Sequence, residues 1–224
     1  MTACDFCDEF ADGSENAYAR RYGQPGRIVL RSAGFRVFPS LGQIVEGHLL
    51  IVPVHHCCAL ADLPNEQVND LDFLCRQVRL TLQDAYNNCV FFEHGIRREG
   101  SGGCGIDHAH MHAVPVSANG VLDILMRQCG GCDVDNVANI NECINPKASY
   151  LFFEDASAKR RVFAVERVPS QYMRKLVAES LGKADWDWRK CGQEPELISA
   201  IHRLTPLLSV NAIVPGESLV QENT

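Results

Sequence analysis

No stretch of this chain offers 18 apolar residues free of charge, so no segment reads as a membrane-spanning helix. The opening Met1-Thr2-Ala3-Cys4-Asp5 lacks a basic stretch followed by an apolar run, so no secretory leader is expected. Positive charge is also short. Lys and Arg total 21 against 28 Asp and Glu, a net charge of −7, which argues against a protein that coats nucleic acid and leaves open only a local basic cleft. Internal repeats and low-complexity tracts are missing. With 46% hydrophobic and 22% charged residues, global disorder is excluded and a packed core is expected. A length of 224 residues fits one large domain, or one domain with an extension.

Cysteine, by contrast, is plentiful: 11 of 224 residues, above ordinary usage but below that of a small disulfide scaffold. With no leader in view, the expected compartment is a reducing cytoplasm. There cysteines act as thiols, ligands or nucleophiles rather than bridges, and an odd count agrees.

Short strand-like runs fall at Ile28–Arg31 and Phe35–Phe38, and His48–Val54 is nearly all apolar, as for a strand buried on both faces. Val68, Leu71, Leu74, Cys75, Val78, Leu82 and Ala85 then recur at helical spacing, with Asp62 as a cap and Pro64 in the first turn. Cys89–His94 reads as a strand, Gly95–Asp107 as a glycine-rich loop, and Asp107–Val114 alternates strictly. Residues 129–149 read as loop, Tyr150–Glu154 with Val162–Arg167 as a hairpin. A helix is expected from about Ser170, with Met173, Leu176 and Val177 on one face and a stop at Gly182. Another surrounds Pro195–Leu208, and a frayed tail follows from Pro215.

His108, His110 and His112 carry the chemistry. Spacing by two on a strand puts three imidazoles on one face and Ala109, Met111 and Ala113 on the other. Such a row is expensive to bury unless each ring is hydrogen-bonded or ligates something. A purification tag is six consecutive histidines at a terminus, so it does not account for the pattern. Upstream, Gly100-Ser-Gly-Gly-Cys-Gly105 exposes backbone N–H groups that can cradle anionic oxygens, with Arg97 and Arg98 placed to pair with phosphate. Phosphate binding beside an imidazole nucleophile points to phosphoryl or nucleotidyl transfer.

His108-Ala-His-Met-His-Ala-Val-Pro115 resembles the histidine triad motif of the HIT family. Val45-Glu-Gly-His-Leu-Leu-Ile-Val-Pro53, followed by His55-His56, resembles the strand that precedes the family's long helix. Cys4-Asp-Phe-Cys7 resembles the N-terminal Cys-x-x-Cys of its zinc-bearing members. The resemblance implies an α+β fold: a HIT-like antiparallel sheet with a long helix, often in a homodimer. The HIT-like catalytic domain would span residues 1–130, and an α/β C-terminal extension over 131–224 would pack on the same domain. It further implies that His110 attacks the α-phosphorus of a nucleotide, that His112 bonds the phosphate or leaving group, that His108 orients the site and that His48 approaches from the adjacent strand. The expected activity is a nucleotide hydrolase acting on a phosphoanhydride or phosphoramidate bond. The alternatives are a nucleotidyltransferase or phosphorylase using the same intermediate, or a non-catalytic binding module.

Carried over from zinc-bearing members, the metal set is Cys4, Cys7, His56 and His108, a structural zinc site; His55 competes with His56 because strand neighbours point oppositely. A second possible set joins Cys4 and Cys7 to Cys129 and Cys132. Cys57, Cys58, Cys75, Cys89, Cys143 and Cys191 read as small buried residues. His112 stands where the uridylyltransferase branch has Gln, which favours hydrolysis. Ser40 stands at the position of a ribose-binding Asp or Asn, Gly103, Cys104 and Gly105 stand near the phosphate, and Glu93 precedes the glycine loop as a further candidate for substrate contact.

Overall fold

The computed structural model describes residues 4–10, 17–23, 26–97 and 105–211. The expected tail from Pro215 lies outside the described residues.

Eight strands form one sheet in which every neighbouring pair is antiparallel. They are β1 (Leu30–Arg31), β2 (Phe35–Pro39), β3 (Leu49–Pro53), β4 (Val90–Gly95), β5 (Met111–Val114), β6 (Cys132–Asp133), β7 (Ser149–Glu154) and β8 (Arg160–Val165). Their order across the sheet is β1-β2-β3-β5-β4-β7-β8-β6. The helices are α1 (Asp5–Phe10), α2 (Ala17–Tyr22), α3 (Asn65–Tyr86), α4 (Val121–Cys129), α5 (Ile140–Cys143), α6 (Tyr172–Ser180) and α7 (Glu194–Asn211). This is an α+β fold, as the resemblance implies. No helix among the described residues is long and apolar enough to cross a membrane.

Helices cover both faces of the sheet, which is why β3 and β7 are apolar on consecutive residues rather than alternating. On one face, α3 and α7 pack Val78, Leu82, Ala200 and Leu204 against Ile51, Phe91, Met111 and Phe152. On the other, α4 and α6 pack Val121, Leu125, Met173 and Val177 against Phe92, Leu151 and Phe163. Truncating a core position such as Leu82 to Ala costs about 2–5 kcal/mol. A third cluster seats Phe6 of α1 on Phe38, Leu50 and Val52.

The long helix carries the expected stripe, with Val68, Leu71, Leu74, Cys75, Val78 and Leu82 buried. Its start differs from expectation. A 3-10 turn over Leu60–Asp62 precedes it, Pro64 is the cap without a side-chain bond, and the Asp62 carboxylate instead pairs with Arg97. Strand β1 is shorter than the expected Ile28–Arg31, since only Leu30 and Arg31 pair with β2. The segment read as loop after Cys129 contains β6, a 3-10 turn and α5. β7 and β8 form the expected hairpin. Its turn is closed by the Asp155 carboxylate, which accepts from the backbone N–H groups of Ser157 and Lys159. Because β7 pairs with β4, residues beyond 130 extend the same sheet. Of the cysteines read as buried, Cys75 and Cys89 are; Cys57, Cys58, Cys143 and Cys191 are only half-buried.

Candidate active site and metal centre

The histidine segment alternates as its spacing requires. Ala109, Met111 and Ala113 pack into the core under α3, and His108, His110 and His112 are buried on the opposite side. Pairing with β3 and β4 begins only at Met111, so His108 and His110 occupy extended chain just before β5.

Each ring is held by a partner that decides where its proton sits. His110 Nδ1 lies 2.6 Å from the carbonyl oxygen of His108. A carbonyl only accepts, so Nδ1 carries the hydrogen and the Nε2 of the neutral ring keeps its lone pair. His108 Nε2 lies 2.9 Å from the carbonyl of Pro53 and donates to it by the same logic, which leaves His108 Nδ1 unprotonated. The Ile44 N–H donates to His48 Nδ1, so the neutral His48 ring bears its hydrogen on Nε2. That nitrogen is 2.9 Å from His112 Nδ1, which therefore accepts, and His112 Nε2 is the donor nitrogen. His48 thus approaches His112 rather than His110. Phe92 stacks on the His112 ring at 4.3 Å, and Phe6 meets the His110 ring edge-on at 5.5 Å. Burial is the main force holding His110, His112 and His48 below the usual imidazole range, with the Arg174 cation adding to it. The three rings are therefore neutral near pH 7.

His110 and His112 open into a cleft beside the histidine segment. Ser40, Phe6, Arg27, Arg174 and Trp188 line it. Arg27 is buried in a two-pronged pair with Glu9, at 2.8 and 2.7 Å, and donates at 2.7 Å to the carbonyl of Pro39. This pair fastens α1 to the end of β2. Gly42 brings two loops together: at φ +58°, its Cβ position would lie 2.6 Å from the Trp188 Cα, so a side chain there meets backbone.

Behind the cleft, Cys4, Cys7, His56 and His108 place one ligand atom each within 4.8 Å of one another. His108 Nδ1, the nitrogen left bare by the Pro53 bond, is 3.3 Å from Cys4 Sγ and 3.7 Å from Cys7 Sγ. His56 Nδ1 is 3.4 Å from Cys7 Sγ. Ligands at tetrahedral metal–nitrogen and metal–sulfur lengths stand roughly 3.3–3.8 Å apart, so these spacings suit a metal ion. The donor chemistry agrees. Burial, followed by the neighbouring Cys4, pushes the Cys7 thiol up to about 11, and a cation would reverse that. His55 is exposed and does not join the group. The second possible set does not assemble. Cys129, the last residue of α4, packs on the cluster shared with α6, and Cys132 lies against Cys143.

The remaining sequence candidates are placed as follows. Ser40 lies in the cleft, where it accepts from Arg174 at 3.1 Å. Glu93 does not: the register Phe92↔His112 turns Glu93 to the opposite face, where it accepts from the Leu60 N–H at 2.8 Å and the Tyr150 hydroxyl at 2.6 Å. Arg97 is also elsewhere, bonded to Asp62, Asn141 and the carbonyl of Ala148. The Gly105 carbonyl accepts from Arg189 at 3.5 Å. Arg98, Gly103 and Cys104 lie outside the described residues. Sequence reasoning missed Arg174 and the Arg27–Glu9 pair. The signal for Arg174 was a charged residue adjoining the apolar stripe of α6, beside Met173.

Three alternating histidines running into β5 of an antiparallel sheet, with a long helix behind and a Cys/His cluster at one end, are the features by which this chain resembles HIT-like proteins. Residues 28–126 match the family model described as "Protein similar to CwfJ C-terminal". Solved structures that it resembles include a zinc-bound histidine triad family protein from Mycobacterium smegmatis (18% identity over 53% of this chain and 77% of that one, TM-score 0.39). A HIT family member from Bacillus subtilis (18%, 50% and 72%, TM-score 0.38) is another. So is the diadenosine triphosphate hydrolase of Plasmodium falciparum (19%, 42% and 63%, TM-score 0.36). No curated protein matches the chain.

Proposed function

We propose that this protein is a nucleotide hydrolase that cleaves a phosphoanhydride or phosphoramidate bond through a nucleotidyl-His110 intermediate. The observation that carries this reading is the Nδ1 bond from His110 to the His108 carbonyl, which leaves a bare Nε2 facing the cleft. The Nε2 lone pair bonds the α-phosphorus. The bond from phosphorus to the leaving oxygen or nitrogen breaks, and the leaving group keeps its electron pair and takes a proton from water. A second water oxygen then bonds phosphorus, giving its proton to the hydroxide left by the first water, the P–N bond breaks back onto Nε2, and the nucleoside monophosphate departs. His112 Nε2–H donates to a phosphoryl oxygen throughout, held in that tautomer by His48.

Two thiolates and two imidazoles favour zinc at the Cys4, Cys7, His56 and His108 cluster. Bound there, the ion would supply folding energy by tying α1 to the histidine segment. We place the protein in a reducing cytoplasm, where cysteines act as thiols or metal ligands.

Intact-mass measurement after incubation with a panel of nucleotides tests the reading. An adduct of nucleoside-monophosphate mass, absent in His110→Ala, is expected. Neither adduct nor product across the panel would overturn it, and a product carrying added phosphate would replace hydrolysis with phosphorolysis.

A further inference from the structure

We propose that the Arg174 guanidinium is an anion anchor, a positioning residue that holds a substrate phosphate group in the cleft against His110. The inference rests on the nucleotide reading above for the identity of the phosphate, but its evidence is separate.

Arg174 lies on the buried side of α6 and is only 4% exposed. It makes three hydrogen bonds, all to neutral acceptors: Nε to the carbonyl of Trp186 at 3.0 Å, one terminal nitrogen to Ser40 Oγ at 3.1 Å, and the other to the carbonyl of Gly42. A guanidinium has five N–H groups, so two remain to be placed. Among the described residues no carboxylate forms an ion pair with it. The contrast with Arg27, which lines the same cleft, is direct: Arg27 is neutralised in two-pronged fashion by Glu9. Asp187, the carboxylate whose field does reach Arg174, is engaged by Gln171 Nε2 and the Arg189 N–H.

Burying a charge without its counter-charge is unfavourable unless a ligand supplies the opposite sign. The imidazoles cannot do so, since they are neutral. Arg174 also stays protonated at neutral pH, because burial lowers it only to about 10. Asp5 also lines the cleft but forms no ion pair with Arg174, so of the two arginines there Arg174 is the one that no carboxylate pairs, and its two remaining N–H groups are free to meet phosphate oxygens beside His110. The anchor lies beyond residues 28–126, the part that matches the family model, so the C-terminal extension supplies it.

The test uses the full chain, inorganic phosphate as the probe, and the ring resonances of His110 and His112 as the readout. Phosphate should shift both rings in the parent protein. Arg174→Met should weaken binding at least about tenfold, and Arg174→Lys, which keeps the charge, by no more than about threefold. Ser40→Asp gives the cation an internal partner without removing it, and should weaken phosphate as Arg174→Met does; it decides the matter if Arg174→Met does not fold. Phosphate that leaves the parent rings unmoved, or that binds a folded Arg174→Met or Ser40→Asp protein as well as the parent, would overturn the proposal. The intact-mass assay separates the two ideas. Arg174-dependent phosphate binding with no adduct sinks hydrolysis and keeps the anchor. An adduct that forms equally fast in Arg174→Met sinks the anchor and keeps hydrolysis.

Discussion

Replacing Glu93 with Gln should change the pH dependence of stability in a way that reports its buried carboxyl. Glu93 is enclosed between the sheet and the 3-10 turn, and burial is the largest influence on it. The Tyr150 hydroxyl, the Leu60 N–H and the nearby Arg97 favour its charged form but do not offset burial, so the carboxyl is raised from 4.5 to about 7. A raised acid binds its proton more tightly in the folded chain than in the unfolded one. The stability this provides is complete below pH 4.5, declines as pH climbs, and is lost once pH passes the folded value near 7. A displacement of about 2.5 units at 1.36 kcal/mol per unit amounts to about 3 kcal/mol lost between pH 4.5 and 8. Gln keeps an acceptor for Leu60 and can donate to the Tyr150 oxygen, but does not titrate. Urea unfolding of both proteins at pH 5, 6, 7 and 8 isolates the effect, because every other titrating group cancels in the difference. The two should be close in stability at pH 5, and the Gln variant should be ahead by about 3 kcal/mol at pH 8. A difference that stays constant with pH, or grows in the other direction, would refute the reasoning.

Other outcomes follow from the same geometry. Glu9→Ala leaves the buried Arg27 without its partner and should cost about 3–5 kcal/mol of unfolding free energy, with α1 loosened in hydrogen exchange; a loss under about 1 kcal/mol would show that the pair is solvated. Gly42→Ala forces a Cβ onto the Trp188 backbone, and should lower the melting temperature while weakening nucleotide binding more than Gly34→Ala, where nothing lies within 4 Å. Metal analysis of the purified protein should give one equivalent of zinc, retained in Cys129→Ser and lost in Cys4→Ser; loss in Cys129→Ser would point to the other cysteine set.

Much of the arrangement was legible because it depends on local periodicity. Strict alternation of histidine with Ala and Met fixed which face the imidazoles share, and the helical stripe identified α3. The Cys4-x-x-Cys7 pair was readable from spacing, but its meeting with His56 and His108 needed the resemblance. Arg97 was misleading because a cation beside a glycine loop has the same signature whether it meets phosphate or an internal Asp62 and Asn141. Glu93 depended on strand register, which turned Phe92 and not Glu93 toward His112. Arg174 was hidden for a different reason: it reaches the cleft from a helix more than 60 residues beyond the histidines, and only tertiary packing brings it there.

The cleft is walled by Phe6 near one end of the described chain and by Trp188 near the other, with the histidines between them. Folding of the middle alone therefore cannot yield the complete cleft. A chain extending only as far as β5 would carry the histidines without Arg174 or Trp188. The cleft lining should be complete only once the segment ending at Trp188 has docked. The pairing of β6 with β8, outside the hairpin that follows β6 in sequence, adds long-range contacts that slow this last stage.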